Sequence, residues 1–125
     1  MPDNDLRIEI LKQIIQAIET IKYRFEPVQC VDDFLDTPAG REKLESICML
    51  FIAIGESLKK LDKITDKKLL SNYPHIDWKA IKGLRDVLSH HYFDINAEAI
   101  YDVCVHDLDT LYQTIQNILC TLKNQ

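Results

Sequence analysis

Apolar side chains recur at helical spacing almost from end to end of this chain. Leu6, Ile10, Ile14, Ile18 and Ile21 step by four and three, with Leu11 and Ile15 widening the stripe, which predicts an amphipathic helix over about 4–24. The helix starts after Asp3, whose charge suits a helix N-terminus, and fades before Pro27. Val31, Phe34 and Leu35 suggest a short helical turn set as a lid over an edge of the core. Thr37-Pro38 then supplies an N-cap and a first-turn proline for a long helix running to about Leu61. Its centre, Ile47 to Ile54, is apolar nearly all round, so this helix is expected to lie buried between others.

Gly55 interrupts that helix. Glycine costs about 1 kcal/mol relative to alanine there, and a close approach of a neighbouring helix explains its presence. A weak helix is expected around 65–72, ending before Pro74. Asp77 can then cap a helix with Trp78, Ile81, Leu84 and Leu88 on its inner side. Asp94-Ile95-Asn96 breaks the chain, Asn96 caps again, and apolar positions from Ile100 to Leu122 predict one last helix. No strand-like alternation, repeat or low-complexity stretch competes. The expected fold is all-α, an up-and-down helical bundle of about five helices in a single domain over 1–125.

Length and composition agree: 125 residues, 46% of them hydrophobic, suffice for one well-buried core but not comfortably for two. No apolar run approaches the roughly 20 residues of a membrane span, and the acidic start lacks the pattern of a signal peptide. A cytoplasmic protein is expected. Cys30, Cys48, Cys104 and Cys120 are widely spaced, with no C-x-x-C pair, and read as reduced cysteines on buried or half-buried helix faces. No metal site is expected, because the one close pair, Cys104 and His106, points apart on a helix.

Charge narrows the picture further. The net charge is -5, which argues against strong non-specific nucleic-acid binding, since that affinity comes mainly from neutralised phosphates. Residues 56–91 nevertheless hold eight Lys and Arg against five Asp and Glu, a local +3 that leaves -8 elsewhere. Such a strip can guide a phosphodiester to one place, although a solvated lysine-rich helix face is the plainer alternative.

Inside the strip, Arg85-Asp86-Val87-Leu88-Ser89-His90-His91-Tyr92 sets a guanidinium, imidazoles and a phenol on one helix. At about 100° per residue, Arg85, Ser89 and Tyr92 would share a stripe. His90 lies four residues from Asp86, whose carboxylate could fix its tautomer and leave the other ring nitrogen for chemistry. RNA carries its own nucleophile, the 2'-hydroxyl. A histidine to move protons and a cation to hold the charge on phosphorus would then suffice, and His90 and Arg85 match those roles. Cleavage needs both a base and an acid, so a symmetric dimer carrying two copies of His90 would supply the pair. The ordinary alternative is a helix-end histidine that caps carbonyls.

The runs Ile54-Gly55-Glu56, Tyr73-Pro74, Asp77-Trp78-Lys79-Ala80-Ile81 and Gly83-Leu84-Arg85 through His90-x-Tyr92-Phe93 resemble the HepT-like family of HEPN-domain proteins. The resemblance extends from Leu6 to Leu122. It implies a HEPN-like bundle and a homodimer, and it implies a metal-independent endoribonuclease acting as the toxin of a toxin–antitoxin pair. The antitoxin would be a cognate minimal nucleotidyltransferase. On this resemblance Arg85 and His90 are the catalytic residues, RNA (tRNA among the candidates) is the substrate, and no cofactor is used. Tyr92 is the regulatory position, where AMPylation would place a bulky negative group beside Arg85.

Two positions depart from the family pattern. Asp86 stands where many relatives have asparagine, and would either raise the basicity of His90 or neutralise Arg85. His91 stands where glycine is common, and would substitute for His90, crowd the cleft or pack beneath the helix. Glu56 either orients a cation such as Arg85 or takes part in catalysis. The competing reading is a non-catalytic helical partner of a nucleotidyltransferase.

Overall fold

The computed structural model describes residues 2–90 and 92–125, with the side chains of residues 2, 3 and 92 outside that description. Six α-helices follow one another: α1 (Pro2–Phe25), α2 (Asp32–Leu35), α3 (Pro38–Ile64), α4 (Trp78–His90), α5 (Ala97–His106) and α6 (Leu108–Lys123). Short 3-10 turns lie at Leu70–Asn72 and Tyr92–Asp94, and no strand occurs among the described residues. The all-α bundle expected from the apolar period is the fold observed.

The long helices run up and down. Asn4 of α1 donates to the Leu122 carbonyl at the far end of α6, while Lys22 meets Asp109 and Tyr112 meets Glu19. α1 and α6 are therefore antiparallel. Pairs Gly55–Arg85 and Asp62–Lys82 give the same sense to α3 and α4. α3 packs against α1, α2 and α4, as its apolar circumference requires, and Ile47, Phe51, Ile54, Leu58 and Leu61 are all at most 1% exposed. Ile10, Leu11, Ile14, Ile18 and Ile21 of α1 join them in one continuous core, whereas Leu6 is exposed.

The helix starts follow the local chemistry. Thr37 Oγ1 accepts from Gly40 N–H at 3.0 Å, Asp77 Oδ1 from Ala80 N–H at 3.0 Å, and Asn96 Oδ1 from Ala99 N–H at 3.0 Å. Phe34 of α2 is fully buried, in the lid position the sequence suggests. α3 can lie so close beneath α2 only because residue 40 is glycine: a Cβ there would sit 1.9 Å from the Asp33 carbonyl oxygen.

Three expectations change. α3 continues to Ile64 and closes with Lys67 N–H on the Asp62 carbonyl at 2.8 Å, which puts Asp66 and Lys67 in the left-handed region at φ 54° and 61°. This turn replaces most of the helix expected over 65–72, since right-handed helix cannot pass through two such residues. The last helix divides at Asp107, although Asp107 N–H still reaches Val103 O and Leu111 N–H still reaches Asp107 O. The break lets α5 hold the α1–α2 connection, with Tyr101 donating to Gln29 O at 2.9 Å and its ring 5.4 Å from Phe25, while α6 lies along α1. Finally, only Cys48 and Cys104 are buried; Cys30 and Cys120 are exposed, and all four are free thiols.

Candidate active site

Gly55 sets the geometry of the α3–α4 crossing. A Cβ built on it would come within 2.9 Å of Arg85 Cβ and 3.5 Å of the Ile81 and Lys82 carbonyl oxygens, so the backbones meet where glycine alone permits it. The close approach explains the glycine inside a helix and delivers Arg85 of α4 to the side chains of α3. One turn away, Lys82 and the buried Asp62 form an ion pair that fixes the same register.

Arg85 stands between two carboxylates. Its Nε contacts Glu56 Oε1, and its Nη1 donates to Asp86 Oδ1 at 2.7 Å. The Nε–H is not aligned for a hydrogen bond, so the link to Glu56 is chiefly charge attraction. Lys59 Nζ lies 3.6 Å from the same Asp86 oxygen, closing a row of Glu56, Arg85, Asp86 and Lys59 with alternating charge. The hydrogen bond to Asp86, and then the charge of Glu56, push the Arg85 pKa up from its already high value. The hydrogen bond from Arg85, then the charge of Lys59, hold the Asp86 carboxyl below its ordinary range. Glu56 and Asp86 are both about half exposed, which keeps these interactions modest in energy.

His90 is the last residue of α4, exposed, and its ring makes no hydrogen bond among the described residues. The expected contact from Asp86 to His90 does not form. Arg85 and Lys59 both meet Asp86 Oδ1 instead. α4 ends at His90 and Tyr92 begins a 3-10 turn, so the straight-helix stripe joining Arg85, Ser89 and Tyr92 stops before Tyr92. The Tyr92 side chain and the whole of His91 lie outside the described residues. Lys59 belongs to this cluster although it lies outside the motif of α4; its spacing of three from Glu56 on the Gly55 face of α3 is the signal the sequence carries for it.

Beside the cluster, Gln13, Glu56, Ser57, Lys59, Lys60 and Lys63 line an open groove of about 410 Å³. Among the described residues no three His, Cys, Asp or Glu side chains are grouped to hold a metal ion, and no helix is long and apolar enough to cross a membrane.

The family model described as Ribonuclease HepT-like matches residues 11–118, a span that takes in the α3–α4 crossing and the motif of α4. This chain belongs to the HepT-like ribonuclease family. A candidate RNase of Methanocaldococcus jannaschii, MJ0127, is 28% identical to this HepT-like chain over 125 residues, all of this chain and 96% of the relative. Another, TTE0752 of Caldanaerobacter subterraneus subsp. tengcongensis, is 28% identical over 109 residues, 87% of this chain and 90% of its own. The "Probable ribonuclease HepT" of Thermococcus cleftensis is 28% identical over 103 residues, covering 82% and 86%. No solved structure matches this HepT-like chain.

Proposed function

We propose that this HepT-like chain is a metal-independent endoribonuclease, the toxin of a toxin–antitoxin pair, working as a cytoplasmic homodimer in which Arg85 and His90 of both copies face one cleft. The observation that carries the reading is that one helix, within the family match, bears both a carboxylate-braced Arg85 and an exposed His90 at its end. One His90 takes the proton of an RNA 2'-hydroxyl, the 2'-oxygen bonds to phosphorus, and Arg85 holds the charge that builds on the phosphoryl oxygens. The P–O5' bond breaks, the second His90 protonates the departing 5'-oxygen, and the products carry 2',3'-cyclic phosphate and 5'-hydroxyl ends. Glu56 and Asp86 orient Arg85. A cognate nucleotidyltransferase silences the enzyme by transferring AMP to Tyr92, setting a phosphodiester charge beside that cation.

Cleavage of total RNA and of tRNA in EDTA tests this reading. Wild type should cleave and leave 2',3'-cyclic phosphate ends, while dimeric His90→Ala and wild type pretreated with ATP and the nucleotidyltransferase should not. Equal and negligible cleavage in every lane overturns it. That result would favour a non-catalytic partner of a nucleotidyltransferase, a reading that draws on the two carboxylates at Arg85 and the net charge of -5.

A further inference from the structure

We propose that the C-terminal half of α3 is the surface along which the RNA backbone runs into the Arg85 site, with Lys60 and Lys63 holding phosphates that flank the scissile one and Lys59 joining the two regions. The inference rests on the ribonuclease reading and assigns its substrate path.

The placement follows from helical spacing. Lys59, Lys60 and Lys63 follow Glu56 by three, four and seven residues, the spacing of one face of α3, so their side chains form a continuous row about 10 Å long. The row begins at the Arg85 contact and leads away from it. Lys59 is the hinge of the arrangement, being in the groove and 3.6 Å from Asp86. Lys60 and Lys63 are exposed and make no ion pair among the described residues. Glu56 supplies the groove's one carboxylate among the lining residues, and Arg85 already engages it. Three ammonium groups thus border an open channel whose acid is occupied.

The remaining lining favours a polyanion over a protein. Gln13 and Ser57 add hydrogen-bonding groups, and no apolar side chain lines the groove, whereas protein interfaces centre on aromatic or aliphatic anchors in buried pockets. Isolated lysines on a flexible stem act as point charges on phosphates, which sets position along the backbone without reading base sequence. In a chain of net charge -5, such a local strip is where a nucleic acid can approach without meeting repulsion.

The test measures binding of wild-type protein to a single-stranded 2'-O-methyl oligonucleotide, which the 2'-hydroxyl route cannot cleave, by fluorescence anisotropy across a salt series. Wild type is compared with K60Q/K63Q and with K43Q, a lysine near the other end of α3, and thermal melts confirm that all three fold. Removing two contacts should weaken binding and flatten the plot of log K against log salt by about 1.4, since each phosphate on a single strand contributes about 0.7. K43Q should match wild type. An unchanged slope in K60Q/K63Q, an equal loss in K43Q, or no binding by wild type at low salt overturns the proposal. Retained RNA binding with lost capture of an acidic nucleotidyltransferase by K60Q/K63Q would likewise overturn it, making the strip a protein-docking surface. Cleavage is read separately on unmodified RNA, so inactive wild type counts against the ribonuclease reading while the salt slope still judges the path.

Discussion

The row of alternating charges at the α3–α4 crossing makes Asp86 the residue whose replacement is most informative. Its carboxylate engages Arg85 and Lys59 and competes with any phosphate for the same cations. Asparagine can still accept from Arg85 without the competing charge, so Asp86→Asn should tighten RNA binding severalfold, measured by the same anisotropy assay, while weaker binding would mean that the charge of Asp86 itself is needed to orient Arg85. The pH dependence has a definite sign. The folded-state pKa lies below the ordinary 3.8, so any stability from this group is present above the unfolded-state value and is lost as pH falls through the folded one. A gap in thermal midpoint between wild type and Asp86→Asn at neutral pH should close below about pH 4. His90→Ala tests the proposed chemistry at the same scale. Cleavage should fall by a factor of about 10² to 10⁴ with RNA binding retained, and a parallel loss of binding would assign His90 to substrate contact instead.

At the scale of the helices, two glycines have opposite prospects. At Gly40 a methyl group would strike the Asp33 carbonyl, and α2 must shift to admit it, so Gly40→Ala should cost about 1–3 kcal/mol. At Gly83, within α4, nothing lies within 4 Å of a built Cβ, and Gly83→Ala should instead gain about 0.5–1 kcal/mol through helix propensity. Urea midpoints at constant m-value would show the two signs, and a stabilised Gly40→Ala would contradict the close α2–α3 packing. Much at this scale was readable beforehand. The stripes of α1 and α3, the caps at Thr37, Asp77 and Asn96, and the close approach at Gly55 all follow from local spacing or from one residue's missing side chain. The division at Asp107 left no trace, because Val103, Cys104, Leu108 and Leu111 keep the helical period through it. The pairing of Asp86 with Lys59 was hidden for a different reason. It depends on which turn of α3 meets which turn of α4, and a contact rule confined to one helix gave Asp86 to His90 instead.

For the molecule as a whole, burial sorts the thiols and stoichiometry tests the proposed dimer. Desolvation pushes Cys48 up to about 11 and Cys104 up to about 12, so native protein at pH 8 should expose only Cys30 and Cys120 to rapid alkylation. Fast modification of all four would contradict the core. A dimer that draws its base from one copy and its acid from the other makes a further demand, because a mixed dimer of wild type and His90→Ala then lacks one of the two. After subunit exchange, confirmed by native mass spectrometry, an equal mixture should keep roughly a quarter of the activity of the same total amount of wild type, the fraction of dimers with two intact copies. Activity of about one half would mean that each protomer cleaves alone. In that case a second proton-transfer group must come from the same chain, and the shared cleft would lose its catalytic reason.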